Sequence, residues 1–102
     1  MSDSMFVGYV GEADFHDGSI EAVEQEDGTF HVRVRGFSGK LYIVTFNGVR
    51  AVRANRPEGM VLYALSEVRC EPPLRRFVFN NWDDEDDATL AVDAESLAFR
   101  AV

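Results

Sequence analysis

Asp27-Gly28-Thr29-Phe30-His31-Val32-Arg33-Val34-Arg35-Gly36-Phe37-Ser38-Gly39-Lys40-Leu41-Tyr42-Ile43-Val44-Thr45-Phe46-Asn47-Gly48 is the stretch that decides the fold. Asp-Gly, Ser-Gly and Asn-Gly supply the positive-φ positions that tight hairpins require, and the runs between them are β-branched and aromatic. With Asp27-Gly28 as a loop centre, Val23 faces Val32, Glu24 faces His31 and Gln25 faces Phe30. Phe30, Val32 and Val34 then form one apolar face, and His31, Arg33 and Arg35 form the other. A two-residue Ser38-Gly39 turn places Tyr42 beside Arg35, Ile43 beside Val34 and Val44 beside Arg33. An Asn47-Gly48 hairpin places Arg53 beside Tyr42 and Val52 beside Ile43, so Leu41, Ile43 and Val52 extend the inner face. Tyr42, Val44 and Phe46 are left on the opposite side. A strand apolar on both sides is covered on both sides, here by another part of the chain, a second subunit or a ligand.

Outward from this stretch the punctuation continues. Gly18, Gly28, Gly39, Gly48 and Gly59 are spaced by 10, 11, 9 and 11 residues, which reads as an antiparallel meander with strands at about 19–26, 29–36, 40–46 and 49–54. Met60–Val68 reads as a strand between Pro57-Glu58-Gly59 and Pro72-Pro73, with a helical turn at its start left open. Arg75–Asn80, Thr89–Asp93 and the alternating Leu97, Phe99 and Ala101 supply further strands. Residues 1–14 read as an extra strand, a short helix or a loosely ordered arm. The expected fold is all-β: one domain, a β-sandwich or half-open barrel of about seven to eight short strands.

The 102 residues are 46% apolar and 27% charged, a globular composition, with a net charge of −8. No apolar run is long enough to cross a membrane, and a chain without a leader is expected. The single cysteine, Cys70, fits a reducing compartment, so a cytoplasmic protein is expected. The charge is segregated. Residues 1–28 carry −8, residues 29–78 carry +6 and residues 79–102 carry −6. Acidic ends pairing across a sheet with a basic middle would account for this; the other reading is a bipolar surface that steers a charged partner.

The side chains that could carry chemistry are few. Asp83-Asp84-Glu85-Asp86-Asp87 has oxygens for a cation but neither the glycine nor the alternating spacing of a Ca²⁺ loop, so no metal is expected. Trp82, just before it, reads as an anchor for the loop in the core or as an exposed interface residue. Phe15-His16-Asp17-Gly18 reads as a core plug and a turn, or as a His16/Asp17 pair at a barrel rim that binds a small ligand or acts as a general base. Arg33, Arg35, Arg53 and Tyr42 share one expected face, a combination that could stack on single-stranded nucleic acid. The acidic balance argues against that partner. No nucleophile elbow, phosphate-cradling glycine loop or zinc-ligand spacing occurs, and no cofactor is implied.

On the Phe15-His16-Asp17-Gly18 turn and the later Phe46-Asn47-Gly48-Val49 turn, the chain resembles small uncharacterised bacterial all-β proteins. It is also loosely similar to immunity proteins of bacterial toxin systems. The resemblance covers roughly residues 15–54 and implies the fold; no catalytic set comes with it. The expected function is a non-catalytic protein-interaction domain, in an immunity-like form with acidic segments engaging a basic partner. A homodimer through the Tyr42/Val44/Phe46 face is the self-associating version, and small-ligand binding or catalysis at His16 and Asp17 is the alternative.

Overall fold

The computed structural model describes residues 5–83 and 85–102. Their nine strands are β1 (Phe6–Val10), β2 (Ser19–Glu26), β3 (Thr29–Arg35), β4 (Leu41–Asn47), β5 (Ala51–Asn55), β6 (Leu62–Val68), β7 (Arg75–Asn81), β8 (Thr89–Ala94) and β9 (Ser96–Ala101). A 3-10 turn, Ala13–Phe15, joins β1 to β2. All strands pair antiparallel, in a five-stranded sheet of order β1-β6-β7-β8-β5 and a four-stranded sheet of order β2-β3-β4-β9. The protein is an all-β sandwich. Among the described residues no helix is long and apolar enough to cross a membrane.

Gly28 takes φ 72° at the first hairpin, and the expected pairs Val23↔Val32, Glu24↔His31 and Gln25↔Phe30 all form. The second hairpin departs from expectation by one residue. Phe37, Ser38 and Gly39 make a three-residue loop closed by the Gly36 N–H on the Lys40 carbonyl at 2.8 Å, with Gly39 at φ 91°. The register is therefore Val34↔Tyr42, Arg33↔Ile43 and Val32↔Val44. A slip of one residue turns every side chain over. Tyr42, Val44 and Phe46, expected as a second face open to a dimer partner, point into the sandwich with 6%, 0% and 0% exposure. What covers them is the other sheet. Phe46 lies 5.3 Å from Phe77 and 5.9 Å from Phe79 between ring centroids, so this face is not available for a homodimer.

Asn47-Gly48 makes no hairpin either. There the chain leaves one sheet for the other: β4 takes β9 as its neighbour, and β5 pairs with β8. The return crossing, at Glu95 between β8 and β9, occupies the same corner, with the Glu95 N–H donating to the Asn47 carbonyl at 3.0 Å. Val52 therefore packs at the margin of the core from the other sheet, and Arg53 lies far from Tyr42 in the pairing. The remaining strands fall where their patterns put them. Leu62, Leu65, Phe77, Phe79, Leu90 and Val92 meet Phe30, Val32, Val34, Val44 and Phe46 across the interior.

Candidate functional site

The arginine face of the sequence reading comes apart. Arg33 and Arg35 lie on the outer side of β3, Tyr42 points inward, and Arg53 sits on the other sheet. Arg35 pairs with Glu21, and Arg53 lies 3.5 Å from Asp93. The cation–π contact belongs to Arg75, 5.1 Å above the Phe77 ring. Asp93 is held by Arg76 through a bidentate pair of 2.7 and 3.0 Å. Hydrogen bonding to Arg76, aided by its charge and that of Arg53, keeps the Asp93 carboxyl below the usual aspartate range against the opposing effect of burial. These pairs tie strands together. Arg33 instead shares the outer face with Arg100, on either side of Ile43, above a shallow depression of about 440 Å³ that also holds His31, Glu24 and Glu26. His31 Nδ1 lies 3.1 Å from the Thr45 hydroxyl. Opposite charges alternate there, and no single charge dominates.

The acidic loop is engaged as structure at its far end. Asp87 and, at 3.8 Å, Asp86 pair with Arg56. Asp86 also accepts from the Asn81 amide at 3.0 Å, and Asp83 Oδ1 accepts from the Glu85 N–H at 3.0 Å. Asp84 lies outside the described residues. Among the described residues no group of three or more His, Cys, Asp or Glu side chains is placed to hold a metal.

Trp82 is no core anchor: it is 54% exposed. Its backbone N–H donates to the Val61 carbonyl, which lays the residue along the start of β6, where its ring stacks on Tyr63 at 5.6 Å and 22°. The His16 ring stands edge-on to both, at 5.2 and 5.3 Å. His16 Nδ1 lies 2.9 Å from the Tyr63 carbonyl, which can only accept, so Nδ1 carries the proton and Nε2 faces Asp17 at 3.9 Å. The turn behaves otherwise as its sequence suggested. Phe15 is buried, and Asp17 adopts φ 66°, uncommon for a residue with a side chain.

Two further aromatics extend this cluster. The pairing of β1 with β6 shifts between Phe6 and Gly8, and that of β6 with β7 shifts between Leu62 and Ala64. Val7 and Tyr63 are the extra residues, and such bulges re-aim side chains. Phe6 and Tyr9, three apart, would point to opposite faces of a regular strand. With Val7 bulged, both face outward, their rings 5.0 Å apart. Tyr63 is turned out in the same way, although Leu65, two residues on and expected on the same face, is buried. Phe6, Tyr9 and Tyr63 are 44%, 64% and 44% exposed.

The result is an aromatic ledge along the edge and outer face of the five-stranded sheet, with a depression on each side of Tyr9 and Tyr63. One, of about 280 Å³, is lined by Phe6, Ser66, Val68, Asn80 and Asn81 besides the two tyrosines. The other, of about 290 Å³, runs from Tyr9 to His16 over Phe15 and Leu65, with Glu12 in its wall. Only His16, Asp17 and Trp82 of this ledge were candidates from sequence. Phe6 and Tyr63 were missed because a bulge exposes each, and Tyr9 because residues 1–14 were left open between a strand, a helix and an arm.

The fold and this ledge together define an all-β sandwich with an exposed aromatic face at one end of its larger sheet. Searches of protein families, of curated proteins and of solved structures found no match for the chain.

Proposed function

We propose that the protein is a non-catalytic protein-interaction domain that docks through the aromatic ledge. The observation that carries this reading is the clustering of Phe6, Tyr9, Tyr63 and Trp82, all more than two-fifths exposed, on one continuous surface. Isolated exposed apolar residues are ordinary, but contiguous aromatic patches edged by polar groups mark interaction sites. Tyrosine and tryptophan are also the side chains that dominate binding energy at interfaces. Asn80, Asn81 and His16 supply the polar edge. The resemblance to toxin-immunity proteins suggests one specific form, in which this face covers a partner and blocks it. A cytoplasmic setting, with Cys70 as a free thiol, belongs to the same reading.

Photo-crosslinking tests it. A photoreactive residue at Val7, beside the ledge, should give a discrete adduct in cells of the source organism, and the adduct should vanish when Tyr63→Ser and Trp82→Ser are added. The same residue at Arg100, on the opposite sheet, should give none. Equal labelling from both positions, or none from Val7, rejects the ledge as the docking surface.

A further inference from the structure

The depression between Tyr9 and His16 has a charge character of its own. Phe15 and Leu65, each 1% exposed, make an apolar floor, and Tyr9, Tyr63 and His16 make aromatic walls. Among the described residues Glu12 is the one carboxylate in the lining, and no lysine or arginine contributes to it. Glu12 begins the 3-10 turn, yet its side chain caps nothing. Among the described residues it enters no ion pair. Asp17 stands beside His16, and in sequence both Glu12 and Asp17 belong to the block of residues 1–28, which holds eight acids and no lysine or arginine.

Aromatic walls, an apolar floor and one free carboxylate match a particular side chain. Its stem must pack on rings, its head must stack on a π face, and its charge must be positive. A guanidinium meets all three conditions, since it is planar, weakly hydrated and able to pair with a carboxylate while lying on an aromatic ring. We propose that this depression receives one arginine side chain of a basic partner segment, with the guanidinium on Glu12 and its stem against Tyr9 and Tyr63. The inference rests on the ledge being the docking surface and names the chemistry of what docks. Among the described residues the neighbouring depression carries no charged group.

Trp82 is the chain's one tryptophan and touches both His16 and Tyr63, so its fluorescence reports on the site. The probe is an acetylated, amidated Gly-Arg-Arg-Arg-Gly peptide, compared with the same peptide carrying neutral citrulline at each arginine. The arginine peptide should change Trp82 emission saturably and the citrulline peptide should not. Glu12→Gln should weaken binding about tenfold, as expected for loss of one charge-assisted pair. Glu26→Gln, which removes the same charge from the outer face of the other sheet, should leave it unchanged. Equal weakening by the two substitutions, equal binding of citrulline, or no saturable change would overturn the proposal. Should crosslinking from Val7 still capture a partner while the arginine peptide fails, the docking surface stands and its cationic occupant falls.

Discussion

The Tyr42 hydroxyl donates to Asp14 Oδ2 at 3.0 Å, joining the inner face of β4 to the turn that precedes β2. The same carboxylate accepts from the Ser38 hydroxyl at 2.7 Å and from the Ser38 N–H at 3.0 Å. Ser38 is the main reason that the Asp14 carboxyl sits below the usual aspartate range, with Tyr42 adding to it. Burial, reinforced by Asp14, raises the Tyr42 phenol. One carboxylate thus fastens the three-residue loop whose odd length turns β4 over. Tyr42→Phe should keep the fold and lower Tm by a few degrees, because Asp14 retains Ser38.

Phe46 lies on the same face without any polar link. It is fully buried among Phe30, Phe77 and Phe79. Phe46→Ser removes a ring and leaves a hydroxyl in an apolar site, a loss of about 4 kcal/mol. Chemical denaturation should show a strongly destabilised or unfolded chain. A folded variant with altered native mass would restore the dimer reading of this face.

How much of this was legible in the sequence follows from the same turns. Asp27-Gly28 is a two-residue loop, and its register could be written down from the dipeptide. Phe37-Ser38-Gly39 contains an equally good Ser-Gly signal, but the loop has three residues, and one residue decides which face of β4 is buried. Asn47-Gly48 has the chemistry of a hairpin and serves as a crossing between sheets, a choice made by the long-range β4–β9 and β5–β8 pairings. Local dipeptides do not encode that. The ledge was less legible still: strand alternation cannot foresee a bulge, and both Phe6 and Tyr63 owe their exposure to one.

The Arg76–Asp93 pair sets an acid limit. Asp93 is nearly buried, and its folded-state pKa lies below the ordinary aspartate value of about 3.9. Its stabilisation is therefore complete above about pH 4 and is lost as pH falls through the lower, folded value. Asp93→Asn should cost about 2 kcal/mol at pH 7 by urea unfolding. It should also flatten part of the acid-side decline. A variant as acid-sensitive as the parent would show that other carboxylates, Glu21 and Asp14 among them, carry the effect.

Trp82 separates docking from stability. With 54% of its surface in solvent, it contributes a stacked ring and an edge contact. Trp82→Ser should move stability by no more than about 1 kcal/mol. Combined with Tyr63→Ser it should abolish the adduct formed from Val7. A large fall in Tm from Trp82→Ser alone would instead make it a structural clamp on the loop.

Gly11 links the shape of the arginine depression to the backbone. It takes φ 87°, and a Cβ added there would meet the Phe15 ring at 2.6 Å. Phe15 forms the floor of the depression and is held in the core, with its ring edge-on to Tyr42 at 5.1 Å, so it has little room to yield. Gly11→Ala should therefore cost about 2 kcal/mol from left-handed strain and displacement of Phe15 together. It should also weaken the arginine peptide, because the floor moves. Gly8, within β1 just before it, has nothing among the described residues within 4 Å of an added Cβ and no positive φ. Gly8→Ala should stay within about 0.5 kcal/mol of the parent and bind the peptide normally. Thermal unfolding and Trp82 titration on the two variants read both effects at once, and equal behaviour of the pair would mean that Phe15 does not shape the site.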